Sequence, residues 1–213
     1  MPETVKRPYR SSVREAAAAE TRHRIRAAAA GLFTSQGYAA TTLRQIASAA
    51  GVGERTLYDA FPTKAALFAH TLGVAIVGDE EPATFAERPW LREALEHTDP
   101  VETLRLLAAN TATLMDRAGD LIMVSIQAAG ADPDMRATAD AGAEATYQVQ
   151  QTIAENLHHR GALRTGLDAP TAADILYLLT APHTHQVLCR HRGWSIDRYQ
   201  QWIHDAMTRE LLP

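Results

Sequence analysis

Apolar residues recur along most of the chain at spacings of three and four, which places them on one face of an α-helix. No segment shows the sustained alternation of apolar and polar residues that is typical of a half-buried strand. The chain is therefore predicted to be all-α with about nine helices, apart from a loop at 78–98 that holds a short helix around Trp90. The predicted helices cover residues 13–36, 42–50, 53–60, 63–77, 99–115, 121–129, 133–159, 170–191 and 195–211.

Residues with strong positional preferences mark where several of these helices begin and end. Thr42 and Gln45 form a capping box, in which a hydroxyl and an amide three residues apart satisfy free N–H groups at a helix start. Asp99-Pro100 and Asp132-Pro133 each combine a capping carboxylate with proline at the first helical position. Gly51 can adopt the left-handed conformation that ends a helix, so the helices on either side of it are short.

The composition agrees with a helical interior and limits the class of protein. Hydrophobic residues make up 46% of the chain and aromatic residues only 6%, which suits helices packed through Ala and Leu better than strands. No apolar run approaches the roughly 18 residues of a membrane span, and the single Cys189 excludes an intrachain disulfide. We expect a soluble cytoplasmic protein with no membrane partner and no cofactor.

Charge divides the chain into two parts. Residues 1–64 contain ten Lys and Arg against five Asp and Glu, and the remainder contains 11 and 20, so a part of net charge +5 precedes one of net charge −9. This is the distribution expected when only the first part approaches nucleic-acid phosphates; an unevenly charged solvated surface is the alternative. We predict a basic disordered arm at 1–12, a DNA-binding domain at 13–64 and a second domain at 65–213.

Two short predicted helices, at 42–50 and 53–60, are joined by the tetrapeptide Ala50-Gly-Val-Gly53. This arrangement is that of a helix-turn-helix, whose second helix enters the major groove of DNA. Gly51 permits the tight turn, and Ile46 and Leu57 are spaced to pack the two helices together. The alternative is an ordinary helical hairpin without a DNA-binding role.

The residues around this turn resemble the N-terminal domain of the TetR family of transcriptional regulators over about residues 20–68. The resemblance implies a three-helix DNA-binding domain followed by a helical bundle, in a homodimer that binds double-stranded operator DNA. It also implies a repressor that is released by a small-molecule effector, with activation as the alternative. The segments that carry it are Ala28-Ala-Ala-Gly-Leu-Phe33, Gly37-Tyr-Ala-Ala-Thr-Thr-Leu-Arg-Gln-Ile-Ala47, Ala50-Gly-Val52, Thr56-Leu-Tyr58 and Phe61-Pro-Thr-Lys64.

The resemblance also implies roles for individual residues of the helix-turn-helix. Thr42 is expected to bond a phosphate at a helix N-terminus, Arg55 to pair with guanine O6 and N7, and Tyr58 to reach the DNA backbone. Lys64 is expected to neutralise a phosphate at the start of the following helix. The candidate DNA contacts are Thr41, Thr42, Arg44, Gly53, Glu54, Arg55, Tyr58 and Lys64.

Two features depart from a purely basic interface. Asp59-Ala60 lies where the family often has a His or Tyr that contacts a phosphate, and the basic residues of the arm at 1–12 are expected to offset this repulsive acid. Glu54 has two alternatives: it accepts a hydrogen bond from a cytosine amine, or it pairs with Arg55 or Arg44.

For the rest of the chain, the resemblance implies that the last two helices form a four-helix interface with a second copy and that the bundle interior holds the effector. Pro182 removes one intrahelical hydrogen bond and is expected to kink the penultimate helix. The candidate interface residues are Ile175, Leu179, Val187, Tyr199, Trp202 and Ile203. The candidate effector-binding residues, which are soft or amphipathic and have plain core or surface positions as the alternative, are Met115, Met123, Gln127, Tyr147 and Gln150.

The alternative class is an all-helical enzyme or a metal-dependent binding protein with a structural N-terminal module. The sequence shows no phosphate loop, paired carboxylates or Ser/His/Asp order that favours an enzyme. Its histidines include His158-His159, His183, His185, His191 and His204, but no two of these have the four-residue spacing of helical zinc sites. We therefore expect neither a metal site nor an enzymatic activity.

Overall fold

The computed structural model describes the backbone of residues 9–78 and 89–213 and the side chains of residues 15–78 and 89–213. Regular structure in these residues is helical throughout, which confirms the predicted all-α class. The elements are α1 (Tyr9–Gln36), α2 (Leu43–Ala50), α3 (Glu54–Ala60), α4 (Lys64–Val77), α5 (Pro89–Glu96), α6 (Pro100–Ala128), α7 (Pro133–His159), α8 (Ala169–Leu179), α9 (Pro182–His185), a π-helical turn (Gln186–His191) and α10 (Ile196–Leu211).

The chain divides within α4 into two compact units, one of residues up to Thr71 and one of residues from Leu72 onward. In the first unit, the rings of Phe33, Tyr38 and Phe68 form a cluster with centroids 5.1–5.7 Å apart. The buried faces of the short helices α2 and α3 complete this small core. Because α3 is held by one buried face, its other face is left exposed.

The second unit has the larger core, formed mainly where α6, α7, α8 and α10 pack together. Arg164, in the loop after α7, bonds the end of α10 through its backbone N–H to the Leu211 carbonyl and its Nε to the Glu210 carbonyl. The fully buried side chains of this core include Leu104, Leu107, Ile153, Leu157, Tyr199 and Ile203.

Side-chain caps begin the long helices of the second unit where the sequence predicts them. Asp99 accepts from the backbone N–H of Val101 at 2.9 Å, and Asp132 accepts from the N–H groups at the start of α7 at 3.0 Å. Ser195 caps α10 in the same way. Asp168 caps α8 by accepting from the Thr171 N–H at 2.9 Å, and hydrogen bonds from Thr171 hold the pKa of this carboxyl below its ordinary value.

The predicted arm at 1–12 and the predicted loop at 78–98 are described only in part by the structure. Helix α1 begins at Tyr9, inside the predicted arm, because the Arg-, Glu- and Ala-rich residues that follow are strong helix formers. Residues 1–8 of that arm and residues 79–88 of the predicted loop lie outside the described residues. The short helix expected around Trp90 is confirmed as α5.

The predicted break between residues 115 and 121 is wrong, because α6 runs without interruption through Gly119. Gly119 is buried inside this helix, where a Cβ would lie 3.0 Å from Nδ1 and 3.3 Å from Cε1 of His185. The glycine therefore serves the close approach of an imidazole ring, and it does not end the helix.

The predicted kinked helix at 170–191 is instead broken. Helix α8 ends at Leu179, Ala181 is extended, and Pro182 opens α9 at its first position. Proline disfavours helical geometry in the residue before it and lacks the N–H that would continue the ladder. Among the described residues no single helix has the length and apolarity of a membrane span, whereas α3 and α4 reach both only when counted together across a 67° bend.

Candidate nucleic-acid interface

The turn between α2 and α3 has the geometry of a helix-turn-helix. The capping box is formed: the Thr42 hydroxyl accepts from the Gln45 N–H at 3.2 Å, and Gln45 Oε1 accepts from the Thr42 N–H at 2.8 Å. Gly51 has the left-handed φ of 64° and donates its N–H to the Ser48 carbonyl at 3.2 Å. Gly53 is extended and opens α3. Local residue preferences thus set both the start of α2 and the turn that follows it.

The exposed face of α3 carries side chains suited to DNA. The Arg55 side chain is 95% exposed and Tyr58 is 50% exposed, whereas Leu57 is fully buried. Nε of Arg55 lies 4.0 Å from the Asp59 carboxylate one turn later. Exposed ion pairs of this kind contribute little, so the guanidinium is available for another partner.

Glu54 is paired across the turn. Its carboxylate lies 3.5 Å from Nε of Arg44 on α2, and both side chains are exposed. Of the alternatives predicted for Glu54, this arrangement is the ion pair with Arg44. Because the pair is solvated and weak, a contact between Glu54 and a cytosine amine stays a prediction.

The prediction that Thr41 contacts DNA is wrong, because Thr41 has a structural role. Its side chain is fully buried, and its hydroxyl donates to the carbonyls of Gly37 at 2.8 Å and Leu32 at 3.2 Å. The hydroxyl therefore ties the loop before α2 to the end of α1 and has no access to a phosphate.

Lys64 is also engaged within the protein. Its Nζ donates to the carbonyls of Tyr38 at 2.8 Å and Thr41 at 3.1 Å, and it lies 4.2 Å from the centroid of the Tyr38 ring. An ammonium group has three N–H donors, so one remains for a phosphate. The sequence missed the loop contacts, because they join residues 23 and 26 positions apart.

Thr42 is exposed, but its hydroxyl is committed to Gln45, from whose N–H it accepts and to whose Oε1 it donates at 2.8 Å. The amides of Leu43 and Arg44 are then the N–H groups of the first turn without an intrahelical acceptor. A helix N-terminus of this kind attracts anions. The phosphate contact at Thr42 stays a prediction, and the N–H groups of Leu43 and Arg44 are the donors that the structure leaves for it.

One basic residue near the turn was not among the predicted contacts. The Arg24 guanidinium on α1 lies 3.9 Å from the position that a Cβ would take at Gly51. Arg24 is exposed, and its position adds positive charge beside the helix-turn-helix. Its only signal in the sequence is its share in the basic charge of residues 1–64.

The predicted effector-binding residues have different surroundings in the second unit. Met115 and Met123 are buried, as is Gln150, whose Nε2 donates to the Thr180 hydroxyl at 3.2 Å. Tyr147 is half-buried and donates its hydroxyl to Asp174 at 3.0 Å. Gln127 is exposed, which removes it from a pocket inside the bundle.

The predicted interface residues also divide by burial. As a correction, Tyr199 and Ile203 are fully buried in the protomer's own core, which takes them out of direct contact with a second copy. Leu178, which the sequence interpretation omitted, is 68% exposed, and it follows Ile175 by one helical turn. The other predicted interface residues keep some exposure: Val187 is 50% exposed, and Ile175, Leu179 and Trp202 are half-buried.

Comparison with known proteins gives a family match for the N-terminal part of the chain and structural matches for most of its length. Residues 25–71 match the family model of the bacterial regulatory proteins, tetR family. No curated protein sequence matches the chain.

Solved structures match the chain over most of its length. NalD of Pseudomonas aeruginosa, the secondary repressor of the MexAB-OprM multidrug efflux pump, is 23% identical, with 92% of this chain and 98% of that one covered at a TM-score of 0.69. A transcriptional regulator from Saccharomonospora viridis in complex with choline is 21% identical, with 92% and 99% covered at 0.69. A TetR-family regulator from Mesorhizobium loti is 23% identical, with 90% and 95% covered at 0.64.

The family match covers the helices that build the turn, its buried core and the exposed face of α3. The solved structures share the fold over 90–92% of this chain. The part of the chain that contains the helix-turn-helix, residues 25–71, therefore matches the TetR family of bacterial regulatory proteins.

Proposed function

We propose that the protein is a transcriptional repressor that binds operator DNA as a homodimer and is released by a small-molecule effector. The observation that carries this proposal is the exposed face of α3, where Arg55 and Tyr58 extend from a helix held by its buried Leu57. The surrounding module is basic, and the rest of the chain is acidic. Such a module is attracted to DNA phosphates while the remainder is repelled by them.

In this proposal α3 is the recognition helix. Arg55 reads guanine O6 and N7 with its planar guanidinium, and its weak pairing with Asp59 is given up at small cost. Tyr58 bonds the DNA backbone, and the N-terminus of α2 holds a phosphate. The free N–H of Lys64 supplies a further phosphate contact beside its loop contacts.

The proposed dimer interface is the face of α8 and of the turn after α9 that bears exposed apolar side chains. Leu178 and Val187 are the most exposed of these, and exposed apolar surface of this kind marks interaction sites. Two recognition helices then reach successive major grooves, whose half-sites lie about 34–36 Å apart. A monomer would contact only one of them.

The second unit is proposed to be the effector-binding part. The Saccharomonospora viridis regulator that shares this fold is in complex with choline, and NalD is a repressor of a multidrug efflux pump. For this chain we propose an unidentified small molecule that favours a conformation unable to span two grooves. The extent of release is then limited by the difference in the effector's affinity for the two conformations.

The test is DNA binding followed by transcription. Purified protein is titrated into labelled DNA from upstream of its own coding sequence and from an unrelated coding region, and affinity is measured by fluorescence anisotropy. We expect a preference for the upstream DNA of at least about 1,000-fold and lower transcription when the protein is added. Equal affinity for both fragments would overturn the proposal in favour of a structural N-terminal module, and higher transcription would assign activation.

A further inference from the structure

Two buried polar side chains of the second unit lie against each other without satisfied hydrogen bonds. His185, at the end of α9, is 1% exposed, and Tyr199 of α10 is fully buried. Their ring centroids are 5.3 Å apart with an interplanar angle of 72°. Neither His185 Nε2 nor the Tyr199 hydroxyl has a hydrogen-bond partner among the described residues. Buried polar atoms are nearly always paired in folded proteins, so two orphans in contact need an explanation.

The backbone around this pair has the features of a built site. Gly119 lacks the Cβ that would meet the His185 ring, and it thereby admits the imidazole against α6. A π-helical turn begins directly after His185, and such turns occur often at functional sites. Arg190 of that turn holds Asp120 of α6 with Nε 2.9 Å from a carboxylate oxygen. The imidazole thus packs against α6 and Tyr199, and its Nε2 is left unpaired among the described residues.

The electrostatic surroundings keep both groups uncharged at neutral pH. Burial lowers the pKa of His185, and so does the Arg190 guanidinium, while Asp116 and Asp120 act weakly in the opposite direction. Burial also raises the pKa of the Tyr199 phenol. A neutral imidazole nitrogen and a phenol each complete a hydrogen bond with a hydroxyl group. A charged ligand group would be desolvated here without a full counter-charge, which is unfavourable.

A groove runs along the same two helices that hold Gly119 and Tyr199. Its volume is about 420 Å³, and its lining includes Asp116, one turn before Gly119, and Ile196 and Gln200, which flank Tyr199 on α10. Pockets for small molecules have volumes in this range. His185 and Tyr199 do not line this groove, which borders the stretches of α6 and α10 that hold Gly119 and Tyr199.

We propose that His185 Nε2 and the Tyr199 hydroxyl form the polar anchor of the effector site, for a small, mainly apolar molecule that carries one uncharged hydroxyl group. This assignment rests on the proposed function, because it takes the second unit to be the sensor. It adds the chemistry that the effector must present. It places the anchor at the contact of α9 with α10, on two residues that were not among the predicted effector-binding residues.

The test compares two probes of similar shape, p-cresol and toluene, which differ in one hydroxyl. Binding to the full-length protein is measured by ligand-detected NMR at millimolar probe concentration. We expect p-cresol to bind about tenfold more tightly than toluene, the gain from one hydrogen bond to groups otherwise left unpaired. Failure of p-cresol to bind, or equal affinity for both probes, would overturn the anchor.

Matched variants assign the hydroxyl preference to the pair. Y199F removes only the unpaired hydroxyl, so the melting temperature should stay unchanged or rise while the tenfold preference disappears; H185F should also abolish it. Y177F, which removes the hydroxyl of a half-buried tyrosine on α8, is the control and should keep it. A Y199F protein that keeps the preference for p-cresol over toluene would contradict the proposal, whatever its melting temperature.

Operator binding, measured in parallel, separates this proposal from the proposed function. If the protein binds no operator but shows the Tyr199-dependent preference for p-cresol, the proposed anchor stands and the proposed repressor function is wrong. If a small molecule releases the parent protein and the Y199F variant from operator equally well, the proposed repressor function stands and the proposed anchor is wrong.

Discussion

Arg55 is the side chain on which sequence recognition is expected to depend most. It is almost fully exposed on the first turn of α3, and its ion-pair partner among the described residues is Asp59 at 4.0 Å. A guanidinium is a planar fork that matches O6 and N7 of guanine, whereas a lysine ammonium at the same place is a point charge. Substitution to lysine therefore separates charge from shape.

We expect R55A to weaken binding to the specific operator by roughly 1–3 kcal/mol and to change binding to random DNA little. R55K should lose most of the specificity and keep most of the non-specific affinity, because the positive charge remains. Affinities for both DNAs, measured by anisotropy at one salt concentration, check this. Equal losses on the two DNAs would place Arg55 on the backbone.

Lys64 has two roles to separate, the loop contacts that are observed and the phosphate contact that is proposed. Because K64A deprives the carbonyls of Tyr38 and Thr41 of a charged donor, the free energy of unfolding should fall by roughly 1–3 kcal/mol. If the remaining N–H meets a phosphate, the dependence of log affinity on log salt should also flatten by about 0.9. R136A, a change at an exposed position of α7 in the other unit, should alter neither quantity, and an unchanged K64A unfolding curve would contradict the loop role.

Adjacent residues show why residue type alone did not separate structural from functional positions. Thr41 and Thr42 have the same side chain, yet one is buried against α1 and the other caps α2 at the surface. The capping role follows from the local pattern of four residues and was predictable. The burial of Thr41 depends on the position of α1, and no local pattern contains that information.

At the scale of helices, two glycines inside long helices have opposite surroundings. A Cβ at Gly119 would meet the buried His185 ring at 3.0 Å, whereas a Cβ at Gly142 in α7 meets nothing within 4 Å. Neither glycine has a positive φ, so alanine fits the backbone at both positions. The difference between the two substitutions therefore reports packing.

We expect G142A to stabilise the protein by roughly 0.5–1 kcal/mol, since alanine has the higher helix propensity. G119A should destabilise it by roughly 1–3 kcal/mol, because the imidazole is confined and has to shift. Chemical denaturation of the two variants beside the parent protein measures both. Stabilisation by G119A would show that the His185 ring gives way freely.

The cap that Asp168 forms at the start of α8 is expected to make the stability of the protein depend on pH. Its pKa is lowered in the folded state by hydrogen bonds from Thr171, so the carboxylate stabilises the fold above the ordinary Asp pKa of about 3.9. That contribution is lost as the pH falls through the lower folded value. D168N retains a capping oxygen and cannot titrate, so the parent should be the more stable protein at neutral pH. The difference in urea midpoints should shrink at acid pH, and a constant difference would contradict the cap.

The accuracy of the element boundaries follows the range of the interactions that set them. Caps at Asp99 and Asp132 act within three residues and were predicted correctly. The break between residues 115 and 121 was predicted wrongly, and the imidazole that packs against Gly119 in this stretch is 66 positions later in the chain. Pro182 was predicted to kink a continuous helix, whereas the structure has a break before it.

For the whole molecule, the opposite net charges of the two units predict different contributions to DNA binding. The basic first unit should dominate the salt dependence of DNA binding, since each phosphate neutralised contributes a slope of about −0.9. The acidic second unit should limit non-specific contacts of the rest of the chain with DNA. The likeness in fold to solved structures, at 16–24% identity, identifies neither the operator nor the effector. In the proposed function, the exposed side chains of α3 select the operator and the lining of the bundle selects the effector.

Assembly is the property of the whole molecule that most directly limits DNA binding. Leu178 is 68% exposed in the protomer, so L178D should leave the folded protomer intact. In a dimer formed through α8 the same substitution buries an unpaired carboxylate, which strongly opposes association. Light scattering at low micromolar concentration should then report monomer, and operator affinity should drop because two half-sites are no longer held together. V101D, an apolar-to-acid change at the partly exposed start of α6, is the matched control and should remain dimeric. Dimeric L178D with parental operator affinity would place the interface on another face.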